Sequence, residues 1–100
     1  MTAADLRASA DAAAAPPPGL APEVQALWHA RKGNWDTAHG IAQDIHTPMG
    51  SWIHALLHLI EGDQGNANYW FAHARKPARR LAEIDALWDE IASEVLASDV

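Results

Sequence analysis

The chain contains no cysteine. That excludes disulfides, thiolate zinc sites, iron–sulfur clusters and cysteine nucleophiles, and leaves His, Asp and Glu as the available metal ligands. A reducing, cytoplasmic setting is the expectation from such a composition. Phe and Tyr occur once each, so large-ring packing falls to tryptophan. No segment alternates apolar and polar residues with period two, and no strand is expected. No apolar run approaches the ~18 residues of a membrane helix. The amino terminus is broken by Asp5 and Asp11, with only Ala12 to Ala15 as an apolar run, and does not read as a secretion signal. No Gly-rich loop follows a strand, and Ser and Thr are scarce near any His, so nucleotide-binding and serine-hydrolase chemistry find no support.

Basic charge is also in short supply. The formal charge of −6 divides into −1 over residues 1–19, −1 over 20–76 and −4 over 77–100. Such a chain is a poor electrostatic match for nucleic acid or an anionic membrane, and neither is expected as a partner. Protonation of the six His residues below about pH 6 would carry the charge towards zero.

What is present is enough for one domain in 100 residues. Residues 1–19 are rich in Ala and close on Pro16, Pro17, Pro18 and Gly19, and are expected to form a disordered tail and linker. Residues 20–100 carry helical periodicity. A first helix opens at Pro22, carries Val24, Leu27 and Trp28, and stops at Gly33. Asn34 is placed to cap a second, whose apolar face is Trp35, Ala38, Ile41, Ala42 and Ile45. Residues 47–50 read as a connection, with Thr47 and Pro48 as an alternative helix start. A third helix over about 51–61 ends at Gly62, Asp63 caps a fourth with Ala67, Trp70, Phe71 and Ala74, and Pro77 opens a fifth with Leu81, Ile84, Trp88, Ile91 and Val95. The fold class expected is all-α with about five helices.

A shift of 29 residues superposes Ala26 on Ala55, Leu27 on Leu56, His29 on His58, Gly33 on Gly62, Ala38 on Ala67 and Pro48 on Pro77. The corners Gly33-Asn34-Trp35-Asp36-Thr37-Ala38 and Gly62-Asp63-Gln64-Gly65-Asn66-Ala67 resemble those of tetratricopeptide and Sel1-like repeats, the second without the aromatic. The resemblance covers residues 22–77 and implies two helix-turn-helix units followed by a C-terminal capping helix, in a module that binds a protein or peptide. The run Ser51-Trp52-Ile53-His54-Ala55-Leu56-Leu57-His58, with Glu61-Gly62-Asp63, Asn66-Ala67 and Tyr69-Trp70, also resembles a segment of a group of small uncharacterised bacterial proteins, which implies no activity.

On a helical wheel, residues 51–61 are apolar around most of the circumference and leave one stripe of Ser51, His54, His58 and Glu61. His at i and i+4 can share a divalent transition metal, and Glu61 one turn on can ligate it or hold an imidazole N–H. His54, His58 and Glu61 are therefore the candidate metal ligands, with His39, Asp44, His29 and His73 available to complete the set. Ala55 stands where a metalloprotease has its general base, and His58 precedes Glu61 where carboxylate-bridged bundles have the reverse order, so neither motif applies. Trp35, His39 and Trp70 are candidates for the wall of a small-ligand site shared with the stripe, while Trp28, Trp52 and Trp88 read as core. Arg75, Lys76, Arg79 and Arg80 form a basic cluster, with Glu83 placed to pair with Arg79. No motif specifies a reaction. The expectation is an interaction module, free to dimerise through its Trp-bearing faces, with a small-ligand or metal-binding protein as the alternative.

Overall fold

Gly33 and Gly62 are the two points where the chain reverses, and both hold a left-handed backbone, at φ 91° and 86°. At the first, the Gly33 N–H donates to Ala30 and the Asn34 N–H to His29 (2.9 Å). At the second, the Gly62 N–H donates to Leu59 and the Asp63 N–H to His58 (2.9 Å). These paired bonds satisfy the last carbonyls of each preceding helix, and glycine supplies the conformation without steric cost.

The computed structural model describes residues 1–98 and is helical, with no strand among those residues. Its elements are α1 (Ala3–Ala12), α2 (Pro22–Lys32), α3 (Trp35–Gln43), α4 (Pro48–Ile60), α5 (Gln64–Ala74) and α6 (Ile84–Ser98), the last entered through a 3-10 turn at Leu81–Glu83. Helices α2 and α3 form one hairpin and α4 and α5 the other, with α6 lying against α2 and α4.

Two expectations are corrected. Residues 3–12 are a helix rather than disordered tail: Thr2 and Asp5 form a reciprocal capping box, and Leu6 and Ala10 are fully buried. Ala3, Leu6, Ala10 and Ala13 follow one another at helical spacing, and the small Ala side chains let α1 lie close to α2 and α6. Polar contacts fasten it: Trp28 Nε1–H donates to Ser9 Oγ (3.1 Å), Lys32 Nζ to the Ala13 carbonyl (2.6 Å), and Arg7 pairs with Asp89. The described residues therefore form six α-helices.

The last helix also does not open at Pro77. Residues 77–80 run without helical structure, and the Arg80 N–H donates to Glu83 (3.1 Å) as the 3-10 turn begins. Arg79 binds Glu83 (2.7 Å) and reaches Glu90, so the basic cluster lies outside the helix and is partly neutralised. Leu81, expected on the apolar face, is half exposed, whereas Leu87, Trp88, Ile91 and Ala92 are buried.

Helix α4 begins at Pro48 with Thr47 as its cap, the Thr47 hydroxyl accepting from the Gly50 N–H (3.1 Å). The α3–α4 connection folds tightly over this first turn because Gly50 has no side chain. A Cβ there would overlap the Ile45 carbonyl oxygen and approach the Ile45 Cβ to 2.8 Å. Gly40, in the middle of α3, has nothing within 4 Å of such a position. Gly50→Ala is expected to lower the unfolding free energy by about 2–3 kcal/mol, and Gly40→Ala to leave it unchanged or raise it by up to about 1 kcal/mol. Urea denaturation followed by circular dichroism measures both.

Candidate functional site

From Trp52 to Leu59 every residue of α4 is buried, and His54 and His58 are the buried polar side chains among the described residues, at 7% and 9% exposure. Burying an imidazole without a partner costs about 1–3 kcal/mol. Neighbouring helices and the helix's own last turn supply the partners. On α3, Ala38 and Ala42 are buried and too small to hold the helix away, so His39 reaches α4 and its Nε2 lies 2.9 Å from His54 Nε2. At the end of α4, Glu61 Oε1 accepts a hydrogen bond from His58 Nδ1–H at 2.6 Å. One nitrogen from each of His39, His54 and His58 falls within 4.8 Å of the others.

Two tryptophans bracket this group. Trp35 stacks on His39 with ring centres 4.7 Å apart, turns its edge towards His58, and is anchored by donating its Nε1–H to the Leu57 carbonyl (2.6 Å). Trp70, on α5, stacks on His54 at 3.9 Å and 11°, and the His54 and His58 rings lie nearly parallel at 4.8 Å. The rings are therefore held in orientation before any ligand arrives, which removes part of the ordering cost of binding. Burial, followed by the neighbouring His39 and His58, pushes the His54 pKa down to about 4. At neutral pH His54 is uncharged, the state in which imidazole ligates metal.

The sequence-derived candidates separate into three positions. His39, His54 and His58 come together at the centre. Glu61 sits behind His58 rather than beside His54. Ser51 lies one turn before His54 and lines, with His54 and Trp70, a cavity of about 430 Å³ between the α3–α4 connection and α5. Of the residues able to complete the set, His39 does so. His29 faces Asn34 (3.2 Å), taking up the amide expected to cap α3, and His73 packs against Tyr69 and Trp70. Asp44 forms the carboxyl-terminal cap of α3. Trp28, Trp52 and Trp88 are core, as their spacing indicates. Missed as site residues are His46 and Thr47, which line the cavity; of the two readings of residues 47–50, the helix start at Thr47 and Pro48 is the one observed, and no local pattern marked His46.

Ligand nitrogens around a tetrahedral ion with bonds of 2.0–2.1 Å lie about 3.3 Å apart. The three imidazoles have nitrogens within 4.8 Å of one another, the His39 and His54 Nε2 atoms at 2.9 Å. With Nδ1 engaged by Glu61, His58 keeps Nε2 for a metal, the carboxylate–imidazole arrangement that fixes a tautomer and raises ligand basicity. Asp63 also approaches His58 and Glu61, but its oxygens are committed to the backbone N–H (3.1 Å) and side-chain amide (2.9 Å) of Asn66 at the start of α5.

Because His54 has a lower pKa folded than unfolded, unfolding takes up a proton between the two values. Stability from this group is complete above pH 6.5 and is lost as pH falls towards about 4. Chelator-treated protein is expected to lose about 2–3 kcal/mol over that window through His54, and His54→Leu to reduce the slope, as measured by urea unfolding at stepped pH. No protein-family model, no curated protein and no solved structure matches this chain, so its site is read from its own residues.

Proposed function

We propose that this protein binds a divalent transition metal ion through His39, His54 and His58, with Glu61 orienting His58. The carrying observation is the convergence of three imidazoles from two helices, with nitrogens within 4.8 Å of one another, His54 and His58 buried and His39 partly buried. A leucine or phenylalanine at position 54 or 58 would satisfy the packing without any polar partner. Histidine stands at both positions instead, and a third imidazole from α3 meets them, which supports a ligand role. Imidazole donors suit zinc, copper, nickel and iron and offer little to magnesium or calcium. Three protein ligands leave at least one position of a four-coordinate ion open, as in catalytic rather than structural zinc sites.

A second reading is the helical-repeat module that binds a protein or peptide. It is supported by the two hairpins with alike corners at Gly33 and Gly62, and by Tyr69, which is 55% exposed beside Trp70 and His73 on α5. Under that reading His54 and His58 are dispensable for partner binding.

Untagged protein purified without chelator is expected to carry close to one equivalent of transition metal by plasma mass spectrometry. His39→Ala and His54→Ala are expected to abolish it. Glu61→Gln is expected to keep the stoichiometry and weaken affinity by about 10–100-fold. Metal well below one equivalent, together with no uptake of zinc, copper or nickel in equilibrium dialysis, overturns the metal reading.

A further inference from the structure

The three-imidazole group has different neighbours at its two ends. Along α4 the order is Ser51, His54, His58, Glu61. At the Glu61 end, the indole of Trp35 is pinned to the Leu57 carbonyl and lies against both His39 and His58. At the Ser51 end, His54 and Trp70 form the inner wall of the cavity of about 430 Å³. Of the three imidazoles, His54 is the one that lines this cavity.

The cavity also has a definite chemistry. Ser51 and Thr47 bring hydroxyls and His46 and His73 bring imidazoles, while none of its lining residues is an Asp, Glu, Lys or Arg. The first turn of α4, with Thr47, Pro48 and Gly50, forms part of the same wall and turns the positive end of a 13-residue helix towards it. Charge balance adds a second, independent requirement. A divalent ion on three neutral imidazoles keeps its full charge of +2, and the carboxylate in hydrogen-bond contact with the set is Glu61, on the Nδ1 side of His58. An ion in that position favours an anion in its open coordination position.

We infer that the cavity between the α3–α4 connection and α5 is the binding site for a small oxyanion, a carboxylate or a phosphate, that completes the metal's coordination while hydrogen-bonding to Ser51 and His73. The inference rests on the metal reading of the preceding section. Ser51 lies one helical turn from the ligand His54. His73 sits on α5 one turn beyond Trp70, the residue that stacks on His54. Both side chains line the same cavity as His54 and stand outside the proposed ligand set. The size of the cavity accommodates a small organic acid or phosphate ester and excludes a folded partner.

The test uses the full chain loaded with Co²⁺, whose visible spectrum reports changes at the metal. Titration with acetate and, separately, with inorganic phosphate is expected to shift that spectrum saturably. A response to one and not the other identifies which oxyanion the site takes. Ser51→Ala and His73→Ala are expected to retain one Co²⁺ per chain and to weaken the anion by roughly tenfold each. Failure of Co²⁺ to bind overturns the metal reading and this inference with it. Stoichiometric Co²⁺ with a spectrum indifferent to both anions overturns this inference alone. A spectral response that Ser51→Ala and His73→Ala leave unchanged places the anion outside the cavity and overturns it as well.

Discussion

Two imidazoles inside the most buried helix set the terms for the rest of this molecule. Helix α4 packs against α2, α3, α5 and α6, and apolar side chains would fill its whole buried span at no polar cost. His54 and His58 instead demand partners, and the surrounding structure is arranged to provide them. Ala38 and Ala42 bring α3 close enough for His39 to meet His54, Ala67 is buried on α5, and Glu61 closes the Nδ1 side of His58. Loss of any of these contacts leaves a polar atom in an apolar interior, so the site is over-determined by its own desolvation.

The opposite side of the molecule serves stability without sharing this chemistry. There α1, α2 and α6 enclose Leu6, Leu27, Trp28, Leu87, Trp88 and Ile91, and the indole nitrogens are satisfied by Ser9 and by the Leu27 carbonyl (2.9 Å). Fully burying each large apolar side chain is worth about 1.5–3 kcal/mol. A chain of this length has few such groups to use, which explains why the Ala-rich amino terminus is recruited as a packed helix. The division leaves α3, α4 and α5 to carry the three imidazoles and the two tryptophans that stack on them.

Much of the local structure was legible in the residues. Gly33 and Gly62 end helices because glycine supplies a left-handed turn, Asp63 caps because its carboxylate reaches the Asn66 N–H, and Trp28, Trp52 and Trp88 lie on apolar faces. Helix α1 was harder to read: its apolar face is mostly alanine, and alanine gives a weak periodic signal until a neighbour is known to approach. The start of the last helix was misplaced for a related reason. Pro77 is compatible with a first helical turn, but Arg79 is drawn instead to Glu83 and Glu90, and the helix forms only where Leu87 and Trp88 find the core.

The stripe of Ser51, His54, His58 and Glu61 follows from sequence alone, since side chains three, four and seven residues apart on a helix share a face whatever surrounds them. The sequence likewise determined the all-α class and the absence of thiolate chemistry. It left open which other residue joins the stripe, because His29, His39, Asp44 and His73 lie on different helices and their separations depend on how those helices cross. The tertiary structure brings His39 beside His54 and His58, sets Glu61 against His58 Nδ1, and forms a cavity at Ser51. Those outcomes come from small residues at helix contacts and from a connection folded over Gly50, interactions between segments remote in the chain that no local periodicity records.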